Sequence, residues 1–347
     1  MTTQVYSTPA GRVNEIKGEI LGHAEPVEIL ALGMNMRKMP KNQGDNVTYR
    51  RYIPFGATTT NVNTQNRPAA TASAHMLQEG VTPAADTLTP VDVNVQLNEY
   101  ACLYAYTNKA AELYEDDIPE EQKVQAGERM ALVREMVRFG ELKSGTNVLY
   151  AGGTTRLTVD EKIGLNVLRR MTRTLKLNHA KKKTRILGPG PNYNTFSVEA
   201  AYLVFVSTDA EADVRDLPGF TKVADYANRT PISPDELGSC EEFRFITSPE
   251  LTAYASSGAA VGATGLLSTD AASVDVYPFM IMGEEAAFDV ALRGSESFRM
   301  NHLPHNKPDK SDPGGQRGYI FCGFWAASKI VNGGRMGVIE AGVSALT

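Results

Sequence analysis

Cysteine is scarce: only Cys102, Cys240 and Cys322 occur in 347 residues. They are odd in number and far apart, so they outline neither a disulfide framework nor a zinc motif, and they suit a reducing compartment. Long apolar runs are missing as well. Stretches such as Ala200 to Val206 fall far short of the ~18 residues a membrane span needs. Met1 to Gly11 is polar and lacks the apolar core of a secretory signal. The expectation is a soluble protein made in the cytosol, with no membrane partner. Nor is there an excess of positive charge. Thirty-five Lys and Arg against 40 Asp and Glu give a net charge of -5, which argues against a whole surface built for nucleic acid.

Catalytic signatures are also lacking. There is no Gly-x-Ser-x-Gly elbow and no His-Glu-x-x-His helix. Gly188-Pro189-Gly190-Pro191 superficially resembles a phosphate loop. Its prolines remove amide donors, and no third glycine or Lys-Ser/Thr follows, so it reads as a turn. His302 and His305 have Pro304 between them, which disfavours a helix that would present both to one metal ion. Asp116-Asp117 is explained by helix capping and Glu284-Glu285 by solvation. No enzyme activity, no cofactor and no metal are expected.

What is present is ordinary globular composition, 42% hydrophobic and 22% charged, which excludes wholesale disorder. At roughly 150 residues per domain the length suggests about two domains. Thirty Gly and 18 Pro favour strands, turns and long loops over a helical bundle. Val13 to Met34 offers helical fragments interrupted by Gly18, Gly22, Pro26 and Gly33. Val47 to Phe55 reads as a strand. In Val91 to Asn98, Val91, Val93, Val95 and Leu97 alternate with polar residues, a strand with one buried face. Tyr100 to Tyr106 continues extended. The Thr/Asn/Ala/Pro-rich stretch between the strands makes a long projecting hairpin, marginal by itself and expected to lie on something else.

Asp117 and Glu120 have capping-box spacing, and Pro119 falls in the first turn, so a helix is predicted from Asp117 to Phe139. Ala126, Met130, Val133 and Val137 form its apolar stripe. Arg134, Arg138 and Lys143 toward its end complement the helix dipole. Thr158 and Glu161 predict a second capped helix to about Leu177. Further on, Tyr202 to Val206 reads as a strand, 210–216 as a short helix and 251–283 as a long surface loop. Tyr319 to Ile330, Asn332-Gly333-Gly334 and Met336 to Ile339 read as a closing hairpin.

From Lys162 to Val198 nine basic residues occur with no acidic one. Arg169, Arg170, Arg173, Lys176, Lys181, Lys182, Lys183 and Arg185 are the candidate contacts to DNA or to a neighbouring subunit. A solvated helix face followed by a basic turn accounts for them equally well. Aromatics are missing until Tyr193 and Phe196, so base-specific readout is not expected.

The order of elements resembles tailed-phage major capsid proteins of the Hong Kong 97-type fold. Three stretches resemble a capsid-protein family common in short-tailed phages. They are Asp312-Pro313-Gly314-Gly315-Gln316-Arg317-Gly318 leading to Gly323-Phe324-Trp325-Ala326-Ala327-Ser328-Lys329-Ile330, Val276-Tyr277-Pro278 through Gly283-Glu284-Glu285-Ala286, and Leu237 to Phe245 followed by Ile246-Thr247-Ser248. The resemblance implies an α+β chain with an N-terminal arm at 1–43 and an extended loop at 44–107. A discontinuous peripheral domain would occupy 108–165 and 284–347, and an axial domain 166–283. The loop would lie over the adjacent subunit, with Asn61, Asn63, Asn66 and Arg67 at its tip.

It further implies self-assembly through hexamers and pentamers into an icosahedral head shell around double-stranded DNA, made in the host cytoplasm. Portal, scaffolding or decoration proteins would be the other partners. An encapsulin-like bacterial compartment shell, or a nucleic-acid-binding protein using the basic stretch, are the alternatives. Some relatives of the fold join a loop lysine to a neighbour's asparagine. Here no lysine lies between Asn42 and Asn108, so that bond has no amine donor.

Overall fold

The computed structural model describes residues 27–42, 44–54, 75–83, 85–114, 117–187, 195–226, 230–262, 264–295, 297–308 and 310–346, with side chains at 185–187 and 195–198 left aside. The loop-tip residues Asn61, Asn63, Asn66 and Arg67, and most of the N-terminal arm, lie outside these residues. In chain order the elements are β1 (Asn35–Met39), β2 (Asn46–Tyr52), β3 (Pro90–Gln96), β4 (Asn98–Thr107), α1 (Asn108–Leu113), α2 (Ile118–Leu142) and β5 (Val148–Tyr150). Then come α3 (Leu165–Leu177), β6 (Lys183–Leu187), β7 (Thr195–Ser207), α4 (Glu211–Arg215), β8 (Thr221–Lys222), β9 (Glu236–Cys240) and β10 (Phe243–Ser248). The last strands are β11 (Tyr277–Met282), β12 (Ala287–Leu292), β13 (Arg299–Leu303), β14 (Arg317–Ile330) and β15 (Met336–Ala341).

Two sheets organise the molecule. The larger has the order β5-β15-β11-β7-β10-β9-β8, with β6 added beside β7. Its central strands are buried on both faces, so they read as continuous apolar runs. Along β7, Tyr202, Val204 and Val206 pack toward α3 with Val167, Leu168, Met171 and Leu175. The alternate residues Leu203 and Phe205 face the opposite side, with Phe139 and Leu142 of α2. α3 approaches so closely that a Cβ at Gly337 would lie 2.3 Å from the Met171 sulfur.

The smaller sheet is built on β14. β4 pairs with it along residues 98–107 on one side, while β13 and β12 share the other, and β1 adds parallel to β12. The N-terminal half of α2 covers this sheet through Ala126 and Met130, against Cys102, Ile320, Cys322 and Phe324. The 25-residue α2 therefore bridges both sheets over roughly 37 Å. Its start is as the sequence predicts: Asp117 accepts a hydrogen bond from the Glu120 amide at 3.2 Å.

Three expectations are corrected. Met336–Ala341 does not form a hairpin with β14; it crosses to the larger sheet and lies between β11 and β5. α3 begins at Leu165 with Gly164 as its cap, because Thr158 is engaged with Thr155 in an isolated turn. Within the loop expected at 251–283, residues 277–282 form the fully buried β11.

Candidate functional site

Three features bear on function: the hairpin, the basic face of α3, and a buried charge cluster that fixes where the N-terminal segment enters the fold.

β2 and β3 pair antiparallel from Asn46↔Gln96 to Tyr52↔Pro90. The alternation legible in the sequence sends Val47, Tyr49 and Val95 onto Phe288 and Val290 of β12, with Tyr49 edge-on to Phe288 at 5.3 Å. On the outer face Arg50 clamps Asp92 through two hydrogen bonds of 2.7 and 2.9 Å. Beyond this paired base the stretch 75–89 contains no strand among its described residues. Met76, Leu77, Val81 and Leu88 there are 74%, 69%, 59% and 76% exposed. These apolar side chains gain nothing from the subunit's own core.

The basic stretch divides. The two-residue turn Glu241-Glu242 between β9 and β10 stands beside α3. Glu241 meets Arg169 at 2.7 Å, while Glu242 meets Lys176 and, at 3.3 Å, Lys182. Burial raises the Glu242 carboxyl, but the two lysines outweigh it and hold the group below its ordinary range. Arg170, Arg173 and Lys181 project to solvent with no acidic partner among the described residues. Lys183 departs from the expected exposed set: it is 4% exposed and donates weakly to the Leu32 carbonyl at 3.4 Å. Its burial pushes the amine down to about 8. Arg185 lies on β6, opposite Ser197.

The charge cluster was not legible as such. Arg138, 3% exposed, donates to Asp289 on β12, to Glu28 at 2.9 Å and to Glu135 at 3.2 Å. Arg134 adds a two-pronged contact to Glu28. The other Glu135 oxygen accepts from the Ile29 and Leu30 amides at 2.9 and 2.8 Å. Burial opposes the Arg138 charge, yet Asp289, Glu135 and Glu28 together hold the guanidinium above its ordinary range. Burial raises the Glu135 carboxyl, against the Leu30 amide and Arg138. What the sequence suggests as a dipole-complementing arginine is thus a clamp joining the N-terminal segment, α2 and the smaller sheet.

His302 and His305 meet Tyr106, not a metal set: the Tyr106 hydroxyl lies 2.7 Å from His302 Nε2. Among the described residues no group of three or more His, Cys, Asp or Glu is placed to hold a metal ion. No helix among them is long and apolar enough to cross a membrane.

No protein-family model and no curated protein sequence matches the chain. Solved structures do. The capsid of Ralstonia phage GP4 contains a chain with TM-score 0.65 and 12% identity, covering 100% of this chain and 99% of that one. The capsid of cyanophage Pam1 matches with TM-score 0.62 and 12% identity over 99% and 100% of the two chains. The head of Helicobacter pylori bacteriophage KHP40 matches with TM-score 0.58 and 10% identity over 95% of each. With nearly the whole of each chain covered, the chain has the α+β Hong Kong 97-type fold of these phage capsid chains.

Proposed function

We propose that the protein is a major capsid protein whose copies assemble into an icosahedral head shell around double-stranded DNA. The observation that carries this reading is the end-to-end match, 100% of this chain against 99% of the Ralstonia phage GP4 capsid chain. The hairpin supports it. Four large apolar side chains at 76–88 stand in solvent on a segment without a core, and association of subunits would bury them. In this reading 1–43 is the arm and 44–107 the extended loop. Residues 108–165 and 284–347 are the peripheral domain, and 166–283 is the axial domain.

Hexamers and pentamers would be the assembly units, with portal, scaffolding or decoration proteins as further partners and assembly in the host cytoplasm. The protein would act without catalysis. Arg170, Arg173 and Lys181 would meet DNA or an acidic neighbour, whereas Arg169, Lys176 and Lys182 are largely neutralised within the subunit. No observation favours a compartment shell. The test is electron microscopy and light scattering of the purified protein across salt and concentration. Rings or shells are expected, with nuclease-protected DNA in native particles. A monomer under every condition would remove the reading.

A further inference from the structure

Cys102 and Cys322 stand directly opposite each other on β4 and β14. Both are free thiols, 7% and 0% exposed, and both belong to the cluster beneath α2 with Ala126 and Met130. Their side chains therefore share one face of the sheet. The ladder geometry follows from its end, where the Asn108 amide donates to the Gln316 carbonyl at 2.8 Å. Hydrogen-bonded pairs recur at every second residue, which makes Cys102 and Cys322 such a pair, with Cα atoms about 5.5 Å apart. That lies within the roughly 4.4–6.8 Å a disulfide tolerates. Cβ atoms at such a site are about 5.5 Å apart, wider than the ~3.5–4.5 Å a relaxed disulfide adopts. A bond there would be strained and readily reduced. Cys240 is on the larger sheet, with its thiol toward the Pro218 carbonyl at 3.7 Å.

We propose that Cys102 and Cys322 form a redox-responsive dithiol that closes to an intrachain disulfide across β4 and β14. The oxidant is a low-molecular-weight disulfide. One cysteine thiolate attacks a sulfur of that reagent, forming a mixed disulfide and releasing one small thiolate. The second cysteine attacks the protein sulfur of the mixed disulfide and releases the other. Two protein thiols become one disulfide, the reagent's two sulfurs take up the two electrons, and the two thiol protons end on the released thiolates. Burial pushes both thiols above their ordinary range, so reaction awaits opening of α2 from the sheet and is slow. Closure would tie the return strand of the hairpin to the centre of the smaller sheet. It is a property of the folded subunit and stands whether or not that subunit forms a shell.

The test uses the full chain, once as native protein and once refolded from urea, each with oxidised glutathione. Samples are denatured in N-ethylmaleimide without reductant and examined by intact mass and peptide mapping. The expected result is a fall from three alkylated thiols to one, a Cys102–Cys322 linked peptide, and full reversal by dithiothreitol. Cys240→Ala should leave the linkage intact and reduce the alkylated thiols to none. Linkage in either sample supports the proposal. Three alkylated thiols in both, or a linkage that includes Cys240, would overturn it.

Discussion

Arg138 on α2 donates twice to one oxygen of Asp289 on β12, at 3.0 and 2.7 Å, across 151 positions of sequence. The same guanidinium reaches Glu28 and Glu135, so one side chain joins three separate segments. Arg138→Met would leave Glu135, which is fully buried, and Asp289 without their cation. We expect a loss of about 3–5 kcal/mol in urea unfolding. Adding Asp289→Leu should recover part of that loss, because the remaining uncompensated charge is then fewer by one.

Lys183 gives the protein a pH signature. Its amine is pushed down to about 8 by burial, from an ordinary 10.5. Between those values the unfolded chain binds more protons than the folded one, so this group's contribution to stability rises with pH across that window. At pH 7 both states carry the charge, and the folded state bears the cost of burying it. Lys183→Met should therefore be more stable than the parent at pH 7, by up to ~3 kcal/mol. The gain should shrink from about pH 8 and vanish near 10.5. Denaturation at a series of pH values checks this, and a pH-independent difference would contradict it.

Gly318 lets β14 pass the Tyr106 ring. A Cβ there would lie 2.2 Å from the ring and 2.4 Å from its hydroxyl oxygen. Gly318→Ala should displace a ring that is 1% exposed and bonded to His302, at a cost of about 1–3 kcal/mol. Gly140, on the exposed side of α2, has nothing within 4 Å of such a Cβ. Gly140→Ala should stabilise by about 0.5–1 kcal/mol. Thermal melts of the two variants should move in opposite directions.

The solvent-facing arginines of α3 are separable from the paired ones. Arg170→Gln with Arg173→Gln should weaken binding to a short DNA duplex and lower the log-affinity against log-salt slope by roughly 2. Glu241→Gln with Glu242→Gln should act oppositely, freeing Arg169, Lys176 and Lys182. Anisotropy titrations at low and high salt would read both, and equal binding by all forms would assign this face to solvent.

With no lysine between Asn42 and Asn108, lysine-to-asparagine bonds from the loop have no donor. Particles boiled in detergent and reductant should run as one band near 37.7 kDa. A ladder of multimers would contradict this.

Local signals carried the local elements. The cap at Asp117 and the alternation from Val91 to Leu97 depend on neighbours a few residues away, so α2 and β3 were readable. The roles of Arg138 and the basic stretch were not, because their counter-charges come from remote segments. Asp289 lies on β12, and Glu241 and Glu242 lie 72 and 66 positions beyond their partners Arg169 and Lys176. A sequence window sees a cationic surface where the fold supplies the anion. β15 departs from the expected hairpin for a related reason: Asn332-Gly333-Gly334 is good turn chemistry, but sheet membership is decided by what buries Val338 and Ile339. The likeness in fold to phage capsid chains agrees with the expectation, whereas the loop-tip residues lie outside the described part of the structure.

β14 and β15 also set the timing of folding. β14 follows every strand it pairs with, β4, β12 and β13, and β15 follows both of its partners, β5 and β11. The smaller sheet cannot be completed on the ribosome until Ile330 has left the exit tunnel, nor the larger one until Ala341 has. Until then β11 and β5 lack β15, the strand that lies between them, and β4 waits for β14 across about 210 positions, the large sequence separations that make folding slow. Chaperone demand should therefore persist until β14 and β15 have emerged, and products ending before β14 should aggregate.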